Sequence, residues 1–200
     1  MKYLFALTLL FTTVAAEAQL SYGPRAGVNL AKLKFSSDQF ETKSVIGFNI
    51  GAFAKYELSS AFGIQAEIFY SGEGTKEERS STGTKGTIRK GYLQIPVLAQ
   101  YTIANGVFVE AGPQLGLLLS SKEKYGGQKE DIKKNYNTTD LRVPVGIGYI
   151  FPESVCQGLR ADLRYSFSFS KINKVPVGGG ELKNQVLGLG VFYTLPAKKK

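Results

Sequence analysis

Between residues 158 and 170 the chain reads GLRADLRYSFSFS, and its side chains divide by parity. Leu159, Ala161, Leu163, Tyr165, Phe167 and Phe169 take one set of alternate positions. Arg160, Asp162, Arg164, Ser166, Ser168 and Ser170 take the other. A period of two marks a β-strand whose faces meet different surroundings. In isolation RADLR also fits one turn of helix, with Arg160 and Arg164 stacked at i and i+4, but the Tyr-Ser-Phe-Ser-Phe-Ser alternation that follows does not.

The same alternation recurs in eight stretches, at residues 20–31, 45–56, 62–71, 91–102, 107–120, 140–151, 158–170 and 184–195. Each is about as long as, or slightly longer than, the roughly 9–11 tilted residues that cross a bilayer, whereas strands of globular proteins average about five or six. The connections alternate too. Those at 57–61, 103–106 and 152–157 are short, and those at 33–44, 72–90, 121–139 and 171–183 are long and rich in Lys, Gly, Ser and Thr. The expected fold is all-β: an eight-stranded antiparallel up-and-down transmembrane β-barrel with short periplasmic turns and long extracellular loops.

The polar faces are also the glycine faces, with Gly27, Gly47, Gly51, Gly63, Gly112, Gly116, Gly146, Gly148, Gly188 and Gly190. Small residues suit the narrow inside of an eight-stranded barrel, whereas a strand facing water is only weakened by them. Arg25, Lys55, Glu67, Glu110, Asp140, Arg142, Arg160, Asp162 and Arg164 then point into the lumen as a charge network. Confined charges are costly unless paired, so this near-balanced set reads as structural ion pairs that fill the lumen. Aromatic residues stand near strand ends on the apolar faces, at Tyr22, Tyr56, Phe62, Tyr70, Tyr101, Tyr149, Phe151 and Tyr193, as in the interfacial girdles of membrane barrels. The soluble alternative is a secreted lipocalin-like carrier of a small apolar ligand, which needs its apolar face inside.

The N-terminus carries Lys2, an apolar run at residues 3–14 and the small-x-small pattern Ala16-Glu17-Ala18. This reads as a signal peptide over 1–18, too short for a spanning helix of about 20 residues. A barrel domain over 19–197 and a basic tail, Lys198 to Lys200, complete the chain. Cys156 is the only cysteine, so no internal disulfide forms. The chain has no His, which removes the commonest catalytic base and metal ligand. No nucleophile–base set stands out, and no catalytic, cofactor or metal site is expected.

Several motifs resemble the PorT-type outer-membrane β-barrel family of Bacteroidetes-like bacteria: GPRAGVNLAKL (23–33), FGIQAEIFYSGEG (62–74), YLQIPVLAQY (92–101), VEAGPQLGLLLS (109–120) and VPVGIGY (143–149). The resemblance implies an eight-stranded barrel in the outer membrane. The family's founding type is linked to export of secreted proteases, which implies support of protein secretion. One departure is the end: the last strand reads VFYTL and continues into PAKKK rather than closing on an aromatic residue.

The net charge is +9, and the four long loops hold fifteen basic and nine acidic residues. A cationic loop surface favours anionic partners. The expectation is a non-enzymatic, monomeric anchor and interaction protein of the cell outer membrane. Its partners would be membrane lipid, lipopolysaccharide and other envelope proteins, and not nucleic acid.

Overall fold

Alternation becomes extended strand throughout the computed structural model, which describes residues 20–35, 40–79, 85–174 and 180–196. The leader over 1–18 and the basic tail over 198–200 lie outside the described residues. Eleven strands follow in order: β1 (Leu20–Phe35), β2 (Phe40–Lys43), β3 (Val45–Glu57), β4 (Phe62–Arg79), β5 (Lys85–Ala104), β6 (Val107–Ala111), β7 (Gln114–Tyr125), β8 (Gln128–Asp131), β9 (Thr139–Ile150), β10 (Leu159–Ser168) and β11 (Leu182–Tyr193). A 3-10 turn, Lys133–Asn135, precedes β9, and one turn of helix, α1 (Glu153–Cys156), precedes β10.

All pairings are antiparallel. β1 pairs with β3, β3 with β4 and β4 with β5. β5 pairs with both β6 and β7, and these two share β9 on their other side. β9 pairs with β10, β10 with β11, and β11 with β1. The ladders thus return to their starting strand and close a ring among the described residues. β2 and β8 add short ladders at the end where the connections are long.

Two differences from the sequence reading have clear causes. The stretch 107–120 is two strands, because Pro113 has no N–H to offer a ladder. The break is bridged by the Val97 amide, which donates to the Pro113 carbonyl at 2.9 Å. The stretch 72–90, expected to be a loop, is mostly strand, since β4 runs to Arg79 and β5 starts at Lys85. Its outward positions, Gly72, Gly74, Lys76, Thr87 and Arg89, carry no apolar side chain, so the lipid-type alternation stops while the backbone ladder continues. Thr75 and Ile88 remain buried on the inner face of this extension.

Turn chemistry explains the opposite end. Asn105 and Gly106 both have positive φ, 49° and 84°, the two-residue reversal that tight hairpins require. Ser59 Oγ accepts from the Phe62 amide at 3.1 Å and fastens the turn between β3 and β4.

The two faces of the ring are the reverse of those in a soluble protein. Ile46, Phe48, Ile50, Ile68, Leu141 and Ile147 are all more than half exposed. The enclosed face buries Arg25, Glu67, Glu73, Asp140, Arg142 and Arg164 at 5 % exposure or less. Its apolar part gathers at the long-hairpin end, where Leu33, Ile88, Tyr92, Leu118, Ile132, Tyr136, Ile172 and Leu182 form one buried cluster. The segments that cap this end are tied down by backbone bonds, including Asn137 N to Ile172 O at 2.8 Å and Lys174 N to Asn135 O at 3.0 Å.

Close approach makes some glycines irreplaceable. A methyl group on Gly51 would lie 2.1 Å from the Ile68 carbonyl oxygen and 2.4 Å from the Phe69 Cα. On Gly72 the nearest atom would be 3.4 Å away. Gly51→Val is therefore expected to destabilise the ring by at least about 1–3 kcal/mol, while Gly72→Ala stays within about 0.5 kcal/mol of wild type. Urea unfolding in detergent micelles checks both.

Candidate functional site

The enclosed charges form two clusters, and the register shows why the chain can hold them. On β10, Arg164 lies between Gly188 of β11 and Gly146 of β9, and Asp162 lies between Gly190 and Gly148. Each long charged side chain is thus flanked by positions that have none. A methyl on Gly190 would lie 2.5 Å from Asp162 Oδ1, and one on Gly146 would lie 3.0 Å from Glu110 Oε1. The glycine and charge patterns seen in the sequence are one spatial device.

Arg164 is the hub of the cluster nearer the short turns. Its Nε donates to Glu110 Oε1 at 2.7 Å, and its Nη1 and Nη2 donate to the two oxygens of Glu67 at 3.1 and 2.9 Å. Nη2 also reaches Asp162 Oδ2 at 2.7 Å. Glu67 additionally pairs with Arg25. Amides fill remaining acceptor sites, with Gln65 on Glu67 at 2.6 Å and Gln100 on Glu110 at 2.8 Å. The guanidinium of Arg25 lies 3.9 Å from the Phe69 ring centre and 4.9 Å from that of Phe192. Arg160 sits below, 4.5 Å from the Phe53 ring and 5.4 Å from the Phe192 ring.

Arg142 is the hub of the second cluster. Its Nη1 and Nη2 bind Glu73 in a bidentate fork at 2.9 and 2.8 Å, and its Nε donates to Asp140 Oδ2 at 2.7 Å. Asn184 donates to Asp140 at 2.7 Å, while Ser71 and Gln94 donate to Glu73 at 2.8 and 3.0 Å. Gln114 continues the chain to Gln94 at 2.8 Å. Between the clusters is a void of about 30 Å³, about enough for one water.

The residues named from the sequence are therefore brought together unequally. Arg25, Glu67, Glu110, Asp162 and Arg164 share the first cluster, and Asp140 and Arg142 belong to the second. Lys55 stands apart at the short-turn end and pairs with Glu57 at 3.1 Å. Arg160 is held by aromatic rings rather than by a carboxylate. Glu73 and Lys90, within the stretch expected to be a loop, are also buried on the inner face, and Glu73 is the partner of Arg142. Lys90 Nζ lies 3.4 Å from the Tyr136 ring centre. Burial, with Glu77 and Glu123 nearby, pushes the Tyr136 hydroxyl above its ordinary value, so that ring stays neutral.

The aromatic residues also divide. Tyr22, Tyr56, Phe62, Tyr101, Tyr149, Phe151 and Tyr193 gather at the short-turn end, where Phe62 pairs with Tyr101 and Tyr149 packs on Phe151 at 5.2 Å. Tyr70 lies toward the other end, 5.4 Å from Phe48. There Tyr165, Phe167 and Phe169 follow one another at 6.1 and 5.3 Å as an outer aromatic row that alternation alone does not distinguish from other apolar positions.

Among the described residues, no group of three or more His, Cys, Asp or Glu is placed to hold a metal. The arrangement does structural chemistry: it neutralises charge and fills space. Removing one member strands its buried partners. Arg164→Ala is expected to cost about 3–5 kcal/mol, and Asp162→Ala less, because Arg164 keeps Glu67 and Glu110. The exposed change Glu130→Ala should move stability by less than about 0.5 kcal/mol. Equilibrium unfolding of the three variants in one detergent ranks them.

The fold is similar to that of Ail, the attachment invasion locus protein of Yersinia pestis. The two are 18 % identical over 88 % of this chain and 99 % of that one, with a TM-score of 0.52. It is also similar to Neisserial surface protein A, at 18 % identity over 87 % of this chain and 97 % of that one, with a TM-score of 0.53. No curated protein matches the chain. The model of the outer membrane protein beta-barrel domain matches residues 15–174. With that match, and a closed antiparallel sheet that is apolar outside and ion-paired inside, the chain belongs to the outer membrane protein beta-barrel domain family.

Proposed function

We propose that the protein is an eight-stranded transmembrane barrel of the PorT type, closed to solutes, that anchors in the outer membrane and meets anionic partners through its cationic outer end. β6 and β7 together take one of the eight places. The observation that carries this reading is the inverted ring, with exposed Ile, Phe, Leu and Val outside and two hydrogen-bonded charge clusters within. Lipid requires every backbone group to be satisfied internally, which a ring of ladders achieves. A lipocalin-like carrier fits poorly, because the enclosed face is charged and the void between the clusters is about 30 Å³.

In this reading the short turns at Asn105-Gly106 and α1 face the periplasm, and the long hairpins of β4, β5, β7 and β8 face outward. The partners are lipopolysaccharide and acidic envelope proteins, including components of protein secretion, engaged by a monomer. No enzymatic role is assigned.

Three measurements test it. The protein should fractionate with outer membranes and migrate differently on gels before and after boiling; recovery in the soluble periplasm without that shift refutes the barrel. In intact cells a membrane-impermeant maleimide should leave Cys156 unlabelled, while a tag inserted between Gly126 and Gly127 is bound by antibody. The reverse pattern overturns the orientation. In planar bilayers the wild type should show no steady conductance, and large stable channels would show that the charges line a pore instead of filling it.

A further inference from the structure

The outer wall carries a groove whose deepest lining reaches Glu73 and Lys90 at the edge of the charge network. Its volume is about 530 Å³, and it is bordered by Val28, Ile46, Phe48 and Tyr70 on an apolar side and by Arg89 and Lys122 on a basic side. Part of its floor is bare backbone, where Gly72 of β4 pairs with Gly91 of β5. The β3–β4 ladder ends at Asn49 and Ser71, and β4 is next paired on that side by β2, at Lys43 and Lys76. Over the gap Arg89 reaches across the glycines and donates from Nη1 to the Ile46 carbonyl at 2.6 Å. The exposed guanidinium is thus fixed at the head of an apolar trough.

The surrounding charges have an unusual register. Arg89 is directly opposite Lys122, Lys43 is opposite Lys76, and Lys124 is opposite Lys129. Like charges directly across a ladder are destabilising. Glu41 stands opposite Glu78 beside the Lys43–Lys76 pair, so the cationic part of this wall is the Arg89–Lys122 pair with Lys124 and Lys129 next to it. Asp131 also stands opposite Lys122, with its Oδ1 accepting from the Lys133 amide at 2.9 Å, and leaves Arg89 as the cation at the groove without a facing carboxylate in its ladder. Below this level the exposed side chains are Val28, Ile46 and Phe48, each more than half exposed. A ligand matching both parts has a phosphate above and an acyl chain below.

We propose that the groove binds one lipopolysaccharide molecule of the outer leaflet, with a phosphate on Arg89 and Lys122 and an acyl chain along Val28, Ile46 and Phe48. This rests on the orientation proposed above, which puts the long hairpins outside. Arg89 supplies the planar donor fork suited to phosphate, and Lys122 adds a second cation. Gly72 is needed because a side chain there enters the trough, although the backbone itself leaves room for a Cβ at 3.4 Å.

The test is native mass spectrometry of the detergent-solubilised full chain, titrated separately with bisphosphorylated lipid A, dephosphorylated lipid A and phosphatidylglycerol. Wild type should bind one bisphosphorylated lipid A and hold the other two more weakly. The double variant Arg89→Ala/Lys122→Ala and the filled groove Gly72→Leu should each weaken binding by about tenfold or more. Unchanged affinity in both variants overturns the proposal, as does equal binding of dephosphorylated lipid A or of phosphatidylglycerol. The heat-dependent gel shift, run on the same samples, separates the outcomes. If it persists while lipid affinity is unchanged, the groove assignment alone fails; if it is absent from wild type, the barrel reading fails.

Discussion

Arg164 and its three carboxylates are the interaction on which the enclosed half of the molecule depends. A guanidinium at 5 % exposure is tolerable only because Glu67, Glu110 and Asp162 surround it within hydrogen-bond distance. Those carboxylates come from β4, β6 and β10, on different arcs of the ring. The same contact therefore neutralises charge and holds distant parts of the sheet together. Glu67 extends the link to Arg25 on β1, next to the seam with β11. A hydrophobic filling of equal volume would satisfy no more backbone and would lose the geometric specificity of paired forks.

The two clusters divide the interior into functions of position. Near the short turns, Phe53, Phe69 and Phe192 face Arg25 and Arg160, so positive charge is met by ring faces as well as by carboxylates. Near the long hairpins, Arg142 and Glu73 are covered by the apolar cap of Leu33, Ile88, Leu118, Ile132, Ile172 and Leu182. That cap covers them from above and the sheet surrounds them. The buried ion pairs thus act in a low-dielectric setting where a lost partner is expensive.

The strand pattern was legible because lipid enforces period two as strongly as a core does. Eight stretches, their two faces and the inward direction of nine charges all follow from it. Glu73 escaped because its outward neighbours, Gly72 and Gly74, carry no apolar signal, so the stretch looked like a loop. Phe69, Phe108 and Phe192 were hidden for the opposite reason: they are apolar residues on the polar face, serving the arginines or filling space, as Phe53 does at a position whose alternation already placed it inside. Pairings such as Arg164 with Glu67, 97 positions apart in the chain, depend on how the ring is staggered, which no single strand encodes.

The seam between β1 and β11 joins Arg25 to Phe192 and Phe35 to Leu182, residues near opposite ends of the chain. Every other ladder of the ring can zip from a nearby hairpin or a modest crossover, but this one waits for almost the whole chain to emerge. Until it forms, two strand edges are unpaired, and hydrocarbon cannot solvate them. Such long-range closure is intrinsically slow. The pairing of the last and first strands is therefore the step that removes the two open edges: before it the sheet presents unsatisfied backbone that lipid cannot solvate, and after it none of the ring's seam does.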